Sequence, residues 1–256
     1  VLNGLDFWGK TKFEGIGGLI KQIGAPFVTP LLNRLADEPN ISTRRYYMER
    51  LTELGDATCE AVLTRLDDSR WYFVRNMVIL LRGTGGPSIL PTIRMLALHP
   101  RIKVRQEALK TLLHYCDPEA DRLLQLDMLS KDKGICLSAI RLAEKSRNPE
   151  TCRILFWFIG KTGFTNFELE RKRAAVQALA VTGNPEALPI LLKLFQTKNF
   201  LHPKKQYQLR LEIVRSLGRY PVASVTKVLE DIVDSSPREL SELARDLLDN
   251  IGGNGA

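Results

Sequence analysis

Apolar residues along most of this chain recur three and four positions apart, which places them on one side of an α-helix. Segments 31–35 and 190–194 both show this spacing, with leucine or isoleucine at the repeated positions. One face of each such helix is therefore expected to pack inward. The pattern predicts a succession of short amphipathic helices.

One position, which is proline in six of seven units, recurs every 30 to 36 residues. The column consists of Pro26, Pro87, Pro118, Pro149, Pro185 and Pro221, with Ala57 in the remaining slot. Proline is tolerated in the first turn of a helix, and the polar residue before it can cap that turn. The predicted caps are Asp117, Asn148 and Asn184, and the predicted left-handed C-caps at the ends of units are Gly24, Gly55, Gly85 and Gly183. Each unit is predicted to be a helical hairpin.

A fixed period of this length predicts stacked helical repeats. We expect an all-α, right-handed α-α superhelix of about seven hairpins, forming a single solenoid domain over residues 1–251 with a flexible tail at 252–256. Residues 12–23 align with a second helix that lacks its first helix, so the first hairpin is expected to be incomplete and the chain a fragment of a longer protein. The units at Pro149 and Pro185 are longer, with insertions around 161–164 and 197–200.

Composition narrows the class of protein. With 44% hydrophobic and 26% charged residues, the chain has the balance of a packed protein. No apolar run approaches the roughly 18 residues that cross a bilayer, and no signal segment opens the chain, so we expect a cytoplasmic protein without a membrane partner. Cys59, Cys116, Cys136 and Cys152 lack metal-ligand spacing, which predicts buried reduced thiols and no metal or cofactor.

Motifs for catalysis are missing. Gly15-Ile-Gly-Gly18 follows no predicted strand and is not expected to bind nucleotide, and no Ser-His-Asp or Cys-His arrangement can be assembled. We therefore assign no catalytic residue, and an enzyme is the minority interpretation.

The segments 173–183 and 184–192, together with Val74-Arg75 and Val104-Arg105, resemble HEAT repeats of the phycobilisome-lyase type. The resemblance covers nearly the whole chain and implies a HEAT-like, armadillo-like helical solenoid. It also implies that an arginine early in the second helix pairs with an acid in the preceding turn. On that basis Arg45, Arg75 and Arg173 are expected to form a structural ladder, with partners Asp37 or Glu38, Asp67 or Asp68, and Glu168 or Glu170, respectively.

Two repeats depart from this ladder, because Arg105 and Arg210 have no acid in the ten positions before them. Acids from neighbouring repeats could complete the ladder, or these turns could bind an anionic partner. The candidate anion-binding or partner-binding residues are Arg101, Lys103, Arg105, Lys204, Lys205 and Arg210.

Charge is unevenly distributed in this chain of net charge +8. Residues 69–106 hold seven Lys or Arg and no acid, and residues 187–229 hold eight with Glu212 as the one acid. Such stretches attract nucleic acid or an acidic protein surface, although a surplus of this size also serves solubility.

Met95, Leu126 and Trp157 occupy a helix position that is charged in other repeats, where Arg34, Arg65 and Lys193 stand. They predict an exposed apolar docking stripe. The alternative is that Trp157 packs under the insertion near Phe164.

These observations favour a non-enzymatic scaffold or adaptor that binds another protein, an acidic one among the candidates, through its extended surface. Nucleic-acid binding by the basic stretches 69–106 and 187–229 is the alternative. A bilin-lyase-like enzyme is implied by the resemblance alone and is the least favoured.

Overall fold

A computed structural model describes residues 13–253 of the chain. Over that range fifteen α-helices follow one another and no strand occurs, which confirms the all-α prediction. None of these helices is long and apolar enough to cross a membrane. The last helix extends to Gly253, and the rest of the predicted flexible tail lies outside the described residues.

The helices are α1 (Phe13–Ile23), α2 (Val28–Asp37), α3 (Ile41–Glu53), α4 (Asp56–Leu63), α5 (Trp71–Thr84), α6 (Leu90–Leu96), α7 (Ile102–His114), α8 (Pro118–Met128), α9 (Lys133–Leu142), α10 (Pro149–Gly160), α11 (Asn166–Thr182), α12 (Ala187–Gln196), α13 (Pro203–Leu217), α14 (Val222–Ser235) and α15 (Arg238–Gly253). Short 3₁₀ turns precede α2 and α6 and follow α9.

The chain divides into two compact units, with the boundary after Ala120 in α8. In the first unit α2 pairs with α3, α4 with α5, and α6 with α7, as the hairpin prediction requires. The second helices α1, α3, α5 and α7 pack against one another in that order. Tyr47, Met77 and Leu112, one from each of three consecutive second helices, are fully buried.

The second unit repeats this organisation. α10 pairs with α11, α12 with α13, and α14 with α15, while α9, α11, α13 and α15 pack in order as second helices. The thiol of Cys136 donates to the carbonyl oxygen of Met128 at 3.0 Å and so joins α9 to α8. Each unit therefore has the packing of a helical solenoid, and the single domain over residues 1–251 stays a prediction.

The predicted polar caps are confirmed for Asp117 and Asn148. Asn184 lies in the turn before α12, whose N-cap is Glu186. The side-chain Oδ1 atoms of Asp117, Asn148 and Asn184 each accept a hydrogen bond from the backbone N–H two residues later, at 2.9 Å. Such bonds satisfy amide groups that the first turn of a helix leaves without a partner.

The glycine C-caps are confirmed in part. Gly183 is left-handed, with φ 62° and ψ 19°. Gly24 and Gly55 also have positive φ, 78° and 55°, but their ψ of −133° and −126° lies outside the left-handed helical region. The prediction is wrong for Gly85, whose φ is −88°. A Cβ at Gly85 would lie 2.8 Å from the carbonyl oxygen of Leu81, so close packing is the reason for glycine there.

The four thiols are free, but they are not uniformly buried. Cys136 is buried, Cys59 and Cys152 are half-buried, and Cys116 is exposed. The buried prediction is wrong for Cys116 because it lies in the solvent-facing turn between α7 and α8.

Candidate functional site

Two of the arginines predicted as a structural ladder form ion pairs between consecutive second helices. Arg75 Nη2 lies 3.5 Å from Glu107 Oε1, and Arg173 Nε and Nη2 donate to Glu212 Oε2 at 3.1 and 2.9 Å. Glu107 and Glu212 are 5% and 4% exposed, respectively. The acceptor is thus a buried glutamate one repeat later in the chain.

The predicted upstream partners are wrong. Arg45 is exposed and pairs with Glu49 of its own helix at 3.1 Å. Asp68 is bound by Arg70, and that hydrogen-bonded pair lowers the pKa of Asp68 to about 2. Glu168 caps the start of its own helix α11. Asp37 is bound by Arg70 and Glu170 by Lys133, each from another repeat. Arg75 and Arg173 instead reach a glutamate one repeat later.

Glu107 is the centre of a larger cluster in the first unit. Besides Arg75, Glu107 forms ion pairs with Arg82 at 3.1 Å and with Lys110 at 2.9 Å. Burial alone would raise the pKa of Glu107, but the hydrogen bonds and charges of Lys110 and Arg82 outweigh it and hold that pKa below its ordinary value. Cations of the basic stretch 69–106 therefore converge on an acid just beyond it.

Most of that stretch is ion-paired. Four of its seven basic residues, Arg70, Arg75, Arg82 and Arg94, bind carboxylates. Among the candidate partner-binding residues of this unit, Arg101 and Lys103 are exposed and Arg105 is half-buried. The positive charge available to a polyanion is smaller than the sequence indicates.

Two of the three candidate residues of the second unit donate hydrogen bonds to backbone carbonyl oxygens. Arg210 donates from Nε to the carbonyl oxygen of Phe195 at 2.8 Å and from Nη2 to that of Thr197 at 3.2 Å. Lys205 donates to the carbonyl oxygen of Phe164 at 2.7 Å, and Lys204 is exposed. Arg210 thus satisfies carbonyl groups at the C-terminal end of α12.

The three residues of the predicted apolar stripe are exposed. Met95 is 69% exposed in the first unit, and Leu126 and Trp157 are 55% and 50% exposed in the second. The Nζ atom of Lys161 lies 3.6 Å from the centroid of the Trp157 ring, so the insertion loop covers part of the indole. Docking through these residues stays a prediction.

A groove of about 560 Å³ in the first unit was missed by the sequence analysis. Trp71 and Tyr72 open α5 beside it, 39% and 45% exposed, with their rings edge to face at a centroid distance of 6.0 Å. Phe73 and Val74 are buried, so the helical turn directs the two preceding residues outward. An aromatic pair directly before a buried apolar pair was the available signal.

The groove crosses the starts of three consecutive second helices, α3, α5 and α7. Arg44 donates to the carbonyl oxygens of Glu38 and Pro39 at 2.9 and 3.0 Å, which holds the loop on one side. Arg75 and Lys103 also line it. Asp37 and Glu38 belong to the lining as well. We call this feature the Trp71 groove: two exposed aromatic rings among basic and acidic side chains.

Comparison with known proteins gives one family. The PBS lyase HEAT-like repeat model matches residues 172–197, the segment that runs from α11 through the Gly183 turn to the end of α12. No curated protein matches the sequence. The matched segment, a second helix followed by the next first helix, is the same arrangement that recurs within each unit. The chain therefore contains a HEAT-like repeat at residues 172–197, and the packing of its described helices is consistent with a helical solenoid of such repeats.

Proposed function

We propose that this helical-repeat protein is a non-enzymatic, cytoplasmic scaffold or adaptor whose first unit binds a segment of another protein in the Trp71 groove. The observation that carries the proposal is the exposure of Trp71 and Tyr72 together in one groove. Tryptophan, tyrosine and arginine are the residues that most often dominate protein–protein binding energy.

The charges around the groove favour a particular kind of segment. Lys103 is exposed, and Arg75 is shared with Glu107. An apolar side chain on the partner would pack against the Trp71 ring, and a neighbouring carboxylate would be attracted to Lys103. The proposed partner is thus an apolar protein segment with a carboxylate placed near Lys103 and away from Asp37 and Glu38, which also line the groove.

Nucleic-acid binding has weaker support. The carboxylates on Arg70, Arg75, Arg82 and Arg94 already neutralise charge that a phosphate backbone would need. No specific contact favours a bilin-lyase-like enzyme.

The test is selection of peptides from a displayed random library on the immobilised full chain, followed by measurement of dissociation constants by fluorescence anisotropy. We expect Trp71→Ala to weaken the selected peptides about 30-fold, because truncating an aromatic hot spot costs at least about 2 kcal/mol. Trp157→Ala, which removes a half-exposed indole from the second unit, is the matched control and is expected to leave affinity unchanged.

Lys103→Gln is expected to weaken the same peptides about threefold, with a larger effect at low salt than at high salt. Equal affinity for the parent and Trp71→Ala would contradict the proposal. The proposal would also be contradicted if the protein selected no peptide and instead bound a single-stranded oligonucleotide with an affinity that falls steeply with salt.

A further inference from the structure

A cavity of about 560 Å³, open to solvent, lies between the two longer repeats of the second unit. It lies between the loop that joins α10 to α11 and the end of α12 with the loop that follows it. Both loops are the insertions found in the sequence. The two loops contact each other through the rings of Phe164 and His202, which are 6.1 Å apart. Lys205 of α13 also donates to the Phe164 carbonyl oxygen. We call this feature the loop cavity.

Part of its wall is apolar. Ile159 and Phe164 are 2% and 7% exposed, and Ile190, at 39%, presents more of its side chain to solvent. Leu194 completes this side of the cavity. An aliphatic or aromatic group entering the cavity would exchange water for these side chains.

The rest of the wall is strongly positive. Four lysines line the cavity, Lys161, Lys172, Lys193 and Lys198, and the described residues that line it include no carboxylate. Lys193 and Lys198 are exposed. An apolar cleft with a few convergent charged groups is the usual form of a small-molecule site.

Lys172 adds an unusual element, because it is 1% exposed. Its Nζ donates to the carbonyl oxygen of Lys161 and lies 4.0 Å from the Phe164 ring centroid. Burial lowers its pKa. The nearby Glu168 carboxylate accepts a hydrogen bond from the backbone N–H of Thr165 at 2.8 Å. The Lys172 ammonium group therefore contacts a carbonyl oxygen and an aromatic ring.

We propose that the loop cavity binds a small organic anion, with its carboxylate at Lys193 and Lys198 and its apolar body against Phe164, Ile190 and Leu194. The charge complementarity selects an anion, and the apolar wall selects one with a hydrocarbon body over an inorganic ion. This site lies in the other unit from the Trp71 groove and does not depend on it.

The probe is decanoate, titrated calorimetrically into the full chain. Decanol and decylamine carry the same hydrocarbon with no charge and with positive charge. We expect one decanoate to bind per chain and decanol and decylamine to bind at least tenfold more weakly. Affinity is expected to fall about fourfold with each methylene removed between decanoate and hexanoate.

Two variants locate the site. The pair Lys193→Gln and Lys198→Gln is expected to weaken decanoate at least tenfold, whereas the charge-matched pair Lys204→Gln and Lys227→Gln, also exposed, is expected to have no effect. Ile190→Asp, which places a carboxylate on the apolar wall, is expected to abolish binding with an unchanged circular dichroism spectrum. Absence of decanoate binding, equal binding of decanol, or equal binding to the Ile190→Asp variant would overturn the proposal.

Discussion

Glu107→Gln perturbs the buried ion cluster of the first unit with little change of shape. The amide would face Arg75, Arg82 and Lys110 without the charge that compensates them. Removing one member of a fully buried ion pair costs about 3–5 kcal/mol. The three cations are 28–38% exposed, so water screens part of the loss. We therefore expect a loss of about 2 kcal/mol in the free energy of unfolding.

Urea unfolding measures this change when the signal comes from the first unit. Replacing Trp8 and Trp157 by Phe leaves Trp71 as the fluorescent probe. With an m-value of about 2 kcal/mol/M, the midpoint is expected to fall by about 1 M. Glu49→Gln is the control, because its ion pair with Arg45 is exposed on both sides and such pairs contribute at most about 1 kcal/mol.

The pH dependence gives a second test of the same cluster. Because the pKa of Glu107 is lowered in the folded protein, its contribution is fully present above its unfolded pKa of about 4.3 and is lost as pH falls through the folded value. The parent and Glu107→Gln are expected to converge in stability in that acidic range. If Glu107→Gln and Glu49→Gln have equal effects at neutral pH, the reasoning is refuted.

Three further changes test other parts of the fold. Cys116 has φ 52°, so Cys116→Gly is expected to raise the urea midpoint, with a gain of about 0.5–1 kcal/mol from relief of that backbone; a lower midpoint would show that the side chain stabilises the turn. Burial lowers the pKa of Lys172 in the folded protein, and Glu168 opposes this shift while Arg171 reinforces it. The free energy of unfolding of the parent is therefore expected to rise relative to that of Lys172→Met as pH increases from the folded pKa to about 10.5. Parallel pH profiles of the two proteins would contradict this. Arg210→Gln is expected to lower the free energy of unfolding of the second unit by about 1 kcal/mol, because carbonyls at the end of α12 lose their donors. An unchanged urea midpoint would contradict a structural role for Arg210.

The sequence predicted the hairpins well because proline position, polar caps and apolar spacing are local properties. Asn148 and Gly183 behave as those rules require. Gly85 does not, because a side chain there would collide with Leu81 and Ile89, and this contact depends on packing. Local backbone geometry can be predicted from neighbouring residues, whereas packing between helices cannot.

The ladder partners were missed for a related reason. The resemblance places the carboxylate in the turn before each arginine, whereas Arg75 and Arg173 bind acids 32 and 39 residues later in the chain. That separation is close to one repeat, and both Glu107 and Glu212 stand two positions after the next arginine of the column. Aligning each second helix with the following one would have found them.

The Trp71 groove escaped prediction because the repeat alignment compared positions relative to the proline column. Trp71 and Tyr72 have no counterpart there, and their exposure follows from the burial of Phe73 and Val74. The loop cavity was closer to prediction, since both insertions were identified. Their contact through Phe164 and His202 required the structure.

The proposed protein-binding role is tested most directly by locating a bound peptide. A peptide selected on the full chain, with benzoylphenylalanine in place of its apolar anchor, is irradiated in the complex, and the cross-linked residues are identified by mass spectrometry. The account predicts cross-links within residues 71–76 and 35–39, on the two sides of the Trp71 groove, and their loss in Trp71→Ala. Cross-links confined to the second unit, or unchanged in Trp71→Ala, would contradict it.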